Sequence, residues 1–120
     1  MVKYIAFTMY PVKDMARARK FYEGTLGLEL TKDFKGAWVE YHLENGCLAL
    51  TTMAEGVMPS ANAGGSIALE VDDLDATMKD VKAKGAAVKL EPFESPVCRM
   101  AVIADSEGNA VTLHQKKPGR

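Results

Sequence analysis

The residues best suited to acid–base chemistry are two histidines, His42 and His114, the only histidines in this 120-residue chain. Imidazole titrates near neutral pH, so His114 is a candidate general acid or base, or a hydrogen-bonding partner for a ligand. The other interpretation is a histidine satisfied by neighbouring backbone or placed at a dimer seam. Two histidines are too few for a conventional histidine-rich metal site.

Three charged residues, Glu40, Glu70 and Arg99, lie on predicted strands. A buried charge without a partner is costly, which leaves two interpretations. In one, an internal arginine–carboxylate pair or exposure at the strand ends satisfies them. In the other, Arg99 anchors a ligand carboxylate while a glutamate stays free for proton transfer.

Trp38, the only tryptophan, shares a strand face with Glu40 and His42. It is suited either to stacking on a planar ligand or to a position at a rim or interface. The two cysteines, Cys47 and Cys98, are expected to be free thiols rather than one disulfide, because a cytosolic chain of this size usually keeps its thiols reduced.

An internal repeat supplies the elements that position these residues. Two stretches predict a strand, then V-x-D, then a helix, at a spacing of 66 − 7 = 59: FTMYPVKDMARARKF from Phe7 and SIALEVDDLDATMKD from Ser66. Two further stretches place a glycine-containing turn before an alternating strand, at a spacing of 107 − 44 = 63: ENGCLALT from Glu44 and EGNAVTLH from Glu107. The chain therefore contains two copies of one unit.

Each copy predicts one amphipathic helix. Asp14 is the expected N-cap of the first, which ends near Gly24. Asp72 or Asp73 caps the second, which Gly85 ends at the position after the C-cap.

Three strands follow each helix. In the first copy they are expected at about 28–33, 36–43 and 47–52, and Asn45-Gly46 predicts a hairpin between the last two. The second copy repeats this order.

The predicted fold class is α+β, with two tandem βαβββ modules in which one face of each sheet is covered by a helix. Module one is 1–52, the linker 53–65 and module two 66–116, within a single domain, 1–120. The linker is rich in glycine, alanine and proline and lacks periodicity.

Alternation along a strand separates the two faces of each sheet, because successive side chains point to opposite sides. The apolar face should pack on the helix; its expected members are Val39, Tyr41, Leu43, Leu48, Leu50, Ile67, Leu69, Val71, Val111 and Leu113. The opposite, open face mixes aromatic, small and ionisable residues, which suits a ligand cavity. Its expected ligand-binding members are Phe7, Met9, Trp38, Glu40, Ala49, Thr51, Ser66, Ala68, Glu70, Arg99, Thr112 and His114. The spacing of 63 matches Ala101 to Trp38, which assigns Arg99, Ala101 and Ile103 to the open face.

Composition excludes several classes. Hydrophobic residues make up 48% and charged residues 26% of the chain, as in ordinary folded proteins. The formal net charge is −1 and there is no sustained basic block, which argues against nucleic acid as a partner. No apolar stretch approaches the roughly 20 residues that cross a bilayer. The N-terminal stretch lacks a secretory cleavage pattern, so no membrane partner and a cytoplasmic location are expected.

The chain resembles the vicinal oxygen chelate superfamily. The resemblance rests on the double module and on three motifs: the V-x-D-helix-FY-LG pattern at 12–27, GSIALEVDDLD from Gly65 and DSEGNAVTLHQ from Asp105. That superfamily includes glyoxalase I, extradiol dioxygenases, fosfomycin-resistance enzymes and bleomycin-resistance proteins. The resemblance covers nearly the whole chain and implies modules that form open half-barrel sheets around a cavity.

Metal-dependent members carry their ligands on the first and last strands of the modules. The resemblance assigns those positions to Phe7 and Ser66 and to Ala49 and Thr112. A divalent cation needs imidazole, thiolate or carboxylate donors, and none is present at these four positions. The expectation is a member without the metal, for which glyoxalase, dioxygenase and thiol-transferase chemistry is disfavoured.

The pattern without the metal resembles the bleomycin-resistance type, which binds a drug without changing it. The near-neutral charge argues against a cationic glycopeptide and favours a smaller aromatic or amphipathic ligand. The predicted function is small-molecule binding in a metal-free cavity, with no cofactor and with two chains paired in a homodimer. The alternative is a cofactor-independent isomerase or lyase that uses His114 or an open-face glutamate as acid and base.

Overall fold

The structure is a computed structural model that describes residues 1, 3, 5–54, 58–62 and 66–118. Part of the predicted linker, 55–57 and 63–65, lies outside the described residues. This part includes Gly65, the first residue of the GSIALEVDDLD motif. The chain divides into two compact units, Met1–Pro59 and Ser60–Arg120, with the boundary inside the predicted linker. The single-domain assignment stays a prediction.

The first unit has the order βαβββ. Its elements are β1 (Thr8–Pro11), α1 (Met15–Arg19), a π-helical segment (Lys20–Thr25), β2 (Lys32–Phe34), β3 (Trp38–Leu43) and β4 (Gly46–Thr51).

The first helix begins as predicted. The Asp14 carboxylate accepts a hydrogen bond from the Arg17 backbone N–H at 3.0 Å and so caps one of the free donors of the first turn. The helix then widens, and the Leu26 N–H donates to the Phe21 carbonyl five residues earlier at 3.0 Å. Phe21 and Tyr22 are both buried in this wider turn.

The four strands of this unit form one sheet in the order β1-β4-β3-β2, with β1 parallel to β4 and the other pairs antiparallel. The predicted hairpin is present, but its turn is Glu44–Asn45, and Gly46 pairs with Leu43. β2 begins later than expected, at Lys32, and the Leu28 N–H bonds back to the Tyr22 carbonyl at 2.9 Å.

The second unit repeats the order. Its elements are β5 (Ile67–Glu70), α2 (Leu74–Ala83), β6 (Ala87–Glu94), β7 (Cys98–Ala104) and β8 (Ala110–Lys116), with sheet order β5-β8-β7-β6. β5 is parallel to β8.

Asp73 is the N-cap of α2, since its carboxylate accepts from the Ala76 N–H at 3.1 Å. At the other end Gly85 has φ of 87°, its N–H bonds to the Lys82 carbonyl, and the next N–H bonds to the Val81 carbonyl. This pair of bonds is a Schellman motif, which needs the left-handed conformation that glycine adopts without strain. The predicted helix end is confirmed.

The core of each unit lies between its helix and the apolar face of its sheet. In the first unit the rings of Tyr22 and Tyr41 stack at 6.1 Å, and the Tyr41 hydroxyl donates to Glu23 at 2.9 Å. In the second unit the buried core side chains include Leu74, Met78, Val81, Ile103, Val111 and Leu113. Leu43 was expected to pack on the helix but is exposed as the last residue of β3.

The observed architecture is an α+β fold of two tandem βαβββ modules, as predicted. Among the residues that the structure describes, no helix is long and apolar enough to span a membrane.

Candidate functional site

The open face of the first sheet is arranged as alternation predicts. In the β3–β4 pair, Trp38 lies opposite Thr51, Glu40 opposite Ala49, and His42 opposite Cys47. Residues directly opposite in a sheet share a face. On the other side of β4, Met9 of β1 lies beside Ala49, so it shares this face.

Aromatic side chains line the open face of the first sheet. Phe7, just before β1, meets Trp38 edge to face with ring centroids 5.3 Å apart. The strand between them, β4, contributes only small side chains to this face, including Ala49, which leaves room for the rings to meet. Phe34 lies opposite Trp38 on β2 and is 52% exposed, while Phe7 is 48% exposed. Sequence reasoning missed Phe34 because β2 was expected to end at residue 33.

A chain of hydrogen bonds runs along the same face. The Trp38 indole N–H donates to Oε2 of Glu40 at 2.8 Å, and Nε2 of His42 lies 3.0 Å from Oε1 of Glu40. The hydrogen bond to His42, followed by the one from Trp38, holds the pKa of the Glu40 carboxyl below its usual range. Glu40 is therefore an oriented carboxylate at neutral pH.

Cys47 and Thr51 also belong to this face, and their side chains differ in how freely they could contact a ligand. Burial, aided by the Glu40 carboxylate, raises the pKa of the half-buried Cys47 thiol. Both cysteines are free thiols, as predicted. Thr51 is buried; its hydroxyl donates to the Ala37 carbonyl at 3.0 Å and accepts from the Met53 N–H at 3.0 Å. Those two bonds tie the Thr51 side chain to the local backbone.

The open face of the second sheet centres on a glutamate–histidine pair. β5 and β8 place Glu70 beside His114, and Nδ1 of His114 lies 2.5 Å from Oε1 of Glu70. The other carboxylate oxygen accepts the Lys116 N–H at 2.8 Å. That backbone hydrogen bond, and then His114, lower the pKa of Glu70. An ionised Glu70 selects the Nδ1–H tautomer of His114 and leaves Nε2 as the acceptor.

Three further predicted residues surround this pair. Ala68 and Thr112 lie side by side on β5 and β8, two residues from the pair along their strands. Ser66 immediately precedes β5 and is exposed. The register places Ala68 and Thr112 on the face of Glu70 and His114, as alternation predicts.

The assignment of Arg99, Ala101 and Ile103 to the open face is wrong. In the β7–β8 register these residues lie opposite Gln115, Leu113 and Val111, on the helix-covered face. Ala101 and Ile103 are fully buried there. The Arg99 guanidinium bonds to Asp75 of α2 at 3.0 Å and lies 3.4 Å from Glu94. Arg99 therefore forms an ion pair at the surface, with partners other than Glu40 and Glu70.

The cause of this error is one extra residue in a loop. His42 and Cys47 are opposite each other in the first sheet, and four residues, 43–46, lie between them along the chain. The corresponding partners in the second sheet, Ala104 and Ala110, have five residues between them, 105–109. β7 therefore corresponds to β3 at an offset of 104 − 42 = 62, not 63. Because side chains alternate with period two, a shift of one residue exchanges the faces of the whole strand.

With the corrected register, β7 contributes apolar residues to the open face. Met100 lies opposite His114, and Val102 lies opposite Thr112. β6 adds Phe93 beside Met100 and Leu90 beside Val102, and both are exposed. Sequence reasoning missed these residues because β7 had been assigned the wrong face.

The family's usual metal does not fit the positions that the resemblance assigns to its ligands. Phe7 has a hydrocarbon ring packed against Trp38, and Ala49 has only a buried methyl group. Ser66 and Thr112 offer neutral hydroxyls. This donor set has no imidazole, carboxylate or thiolate to hold a divalent cation, so these four positions do not form the family's metal site.

Among solved structures, TnmS3, described as an antibiotic binding protein from Streptomyces sp. CB03234, is 27% identical with a TM-score of 0.76, over 97% of this chain and 98% of that one. A member of the glyoxalase/bleomycin resistance protein/dioxygenase superfamily from Sphaerobacter thermophilus is 25% identical with a TM-score of 0.80, over 95% and 98%.

Relatives are also found by sequence. A probable lactoylglutathione lyase of Vibrio cholerae is 30% identical, over 94% of this chain and 91% of that protein. The lactoylglutathione lyase of Haemophilus influenzae is 30% identical, over 94% and 93%. The family model "Glyoxalase/Bleomycin resistance protein/Dioxygenase superfamily" matches residues 4–113. With two βαβββ modules and a match over nearly its whole length, the chain belongs to the glyoxalase/bleomycin resistance protein/dioxygenase superfamily.

Proposed function

We propose that the protein binds a small aromatic or amphipathic molecule on the open face of its first sheet, without a metal at the family's usual ligand positions. The observation that carries the proposal is the group of Phe7, Phe34 and Trp38, two of them about half exposed, on that face. Exposed aromatic rings favour planar, apolar partners. The oriented Glu40 carboxylate beside them supplies one polar contact.

The comparisons support binding in two ways. TnmS3, with a similar fold and 27% identity, is described as an antibiotic binding protein. The lyase relatives share the family, but this chain has no suitable donors at the positions that the resemblance assigns to the metal. We therefore expect no conversion of lactoylglutathione, with or without added zinc or nickel.

A binding experiment with an amphipathic aromatic probe, 1-anilinonaphthalene-8-sulfonate, tests the proposal. Trp38→Ala should weaken binding of the probe about fivefold or more, from the roughly 1 to 3 kcal/mol that a lost aromatic contact costs. The matched control is Leu43→Ala, which removes an exposed apolar side chain from the opposite face of the same strand. Equal losses in the two variants would refute the assignment of the site. Mass spectrometry of molecules that copurify would identify the natural ligand.

A second function, a cofactor-independent isomerase or lyase, is favoured by the Glu70–His114 pair. A carboxylate that holds Nδ1–H orients the imidazole so that Nε2 can take a proton from a substrate. If this function is correct, His114→Gln should lower turnover of the copurifying molecule by about 100-fold while the fold is kept. Asp80→Ala is the control, because Asp80 is an exposed residue of α2, the helix that covers the opposite face of this sheet. An unchanged ligand after incubation with the wild-type protein would exclude turnover of that compound.

We also propose a homodimer, because each sheet has two edge strands, β1 and β2 in one unit and β5 and β6 in the other. Light scattering during size exclusion should give twice the monomer mass; a stable monomer at micromolar concentration would contradict it. A cytoplasmic location remains a further proposal, to be tested by cell fractionation.

A further inference from the structure

The register of β3 and β4 brings three different metal-binding side chains together. Glu40 and His42 are two residues apart on β3 and so point to the same face, and Cys47 lies directly opposite His42 on β4. One donor atom from each, a carboxylate oxygen, an imidazole nitrogen and the thiol sulfur, lies within 4.8 Å of the other two. Among the described residues, these three form a group of different donor types on one sheet face.

The chemistry of the set is selective. Thiolate and imidazole together favour zinc and similar borderline cations over magnesium or calcium, which prefer oxygen donors. Three protein ligands leave a fourth tetrahedral position open, as at zinc sites that bind water or a substrate. The side chain of His42 is 46% exposed, which gives an ion direct access from solvent.

A second layer of contacts already orients the ligands. The Trp38 indole N–H holds Oε2 of Glu40, which leaves Oε1 facing Nε2 of His42. The His42 backbone N–H donates to the Thr31 hydroxyl at 2.9 Å. Such outer contacts fix the direction of metal ligands and strengthen metal binding. Lys32, opposite Glu40 on β2, carries a positive charge that would repel the ion, but it is exposed, so its ammonium group can turn to solvent.

We propose that Glu40, His42 and Cys47 form a zinc site on the open face of the first sheet, separate from the ligand positions that the family resemblance implies. Zinc takes the thiolate, so the Cys47 proton passes to solvent as the metal–sulfur bond forms. The site lies beside Trp38, whose indole N–H bonds to the Glu40 carboxylate. The inference does not require the proposed aromatic ligand.

Metal titration of the purified chain tests the site, because the chain contains its own controls. After removal of metals by a chelator and under reducing conditions, the wild type should bind one zinc ion per chain. Cys47→Ser and His42→Gln should each weaken zinc binding at least tenfold. Cys98→Ser and His114→Gln change the only other cysteine and histidine and should leave it unchanged. Circular dichroism confirms that each variant is folded.

Two spectroscopic readouts identify the ligands independently of affinity. Cobalt in place of zinc should give a thiolate-to-metal charge-transfer band that disappears in Cys47→Ser and persists in Cys98→Ser. The fluorescence of the single tryptophan should change on zinc binding, since the Trp38 indole N–H is hydrogen-bonded to Glu40, one of the three proposed metal ligands. Absence of binding at millimolar zinc, or equal losses in the control variants, would overturn the site. Measuring the aromatic probe in the presence of chelator keeps failure of this site distinct from failure of the proposed function.

Discussion

The Asp105 side chain organises the five-residue loop between β7 and β8, and its contribution to stability can be tested directly. One carboxylate oxygen accepts backbone N–H bonds from Glu107 at 2.8 Å and from Asn109 at 2.9 Å. The other accepts from the Asn109 side-chain amide at 2.9 Å. Asp105 and Asn109 are both buried, so water does not readily replace these bonds.

The cost of Asp105→Ala follows from these contacts. A hydrogen bond to a charged group contributes about 1.5 to 3 kcal/mol, but three bonds to one carboxylate are not additive. We expect the free energy of unfolding to fall by about 3 to 4 kcal/mol, a large part of the total for a 120-residue chain. Asp105→Asn keeps the acceptor for the two backbone N–H groups and sets two amide donors facing each other. Its expected cost is about 1 to 2 kcal/mol.

Urea denaturation followed by circular dichroism measures these differences. Asp80→Ala is the control, because Asp80 is exposed and forms a surface ion pair with Lys84; it should cost less than about 0.5 kcal/mol. A loss of under about 1 kcal/mol for Asp105→Ala, or equal losses for the alanine and asparagine variants, would refute the role given to the carboxylate.

Three further predictions concern stability. Glu23→Gln should cost about 1 kcal/mol at pH 7, because Arg19 loses a charged partner at 2.7 Å. The hydrogen bond from Arg19 lowers the pKa of Glu23 in the folded state. The stability that ionised Glu23 contributes is therefore present above pH 4.5 and is lost as the pH falls through the folded pKa. Urea titrations at pH 7 and at pH 3 should show the unfolding free energies of the wild type and the variant converging in acid. Gly85→Ala should lower stability by about 1 kcal/mol through strain at φ of 87°, and an unchanged urea midpoint would contradict this. Asp73→Ala removes the cap on the Ala76 N–H and should cost about 1 kcal/mol, with Asp73→Asn largely restoring it.

Much of the fold could be predicted from local signals. The V-x-D repeat predicted both helix starts, since the aspartate in each copy caps a backbone N–H three residues later. Gly85 predicted a helix end because few residues other than glycine adopt a positive φ. Alternation predicted the open face of the first sheet, where Trp38, Glu40 and His42 lie together.

The amino-acid sequence by itself therefore determined the repeated βαβββ order, the helix caps and the faces of strands whose neighbours were correctly aligned. Strand pairing decided the rest. The five-residue loop turned Arg99 toward Asp75 and left Met100 beside His114, contrary to the offset of 63. Pairing likewise brought Cys47 to His42. These outcomes depend on register, which is set between strands. Because side chains alternate with period two, one residue of loop length reverses every side chain of the shifted strand.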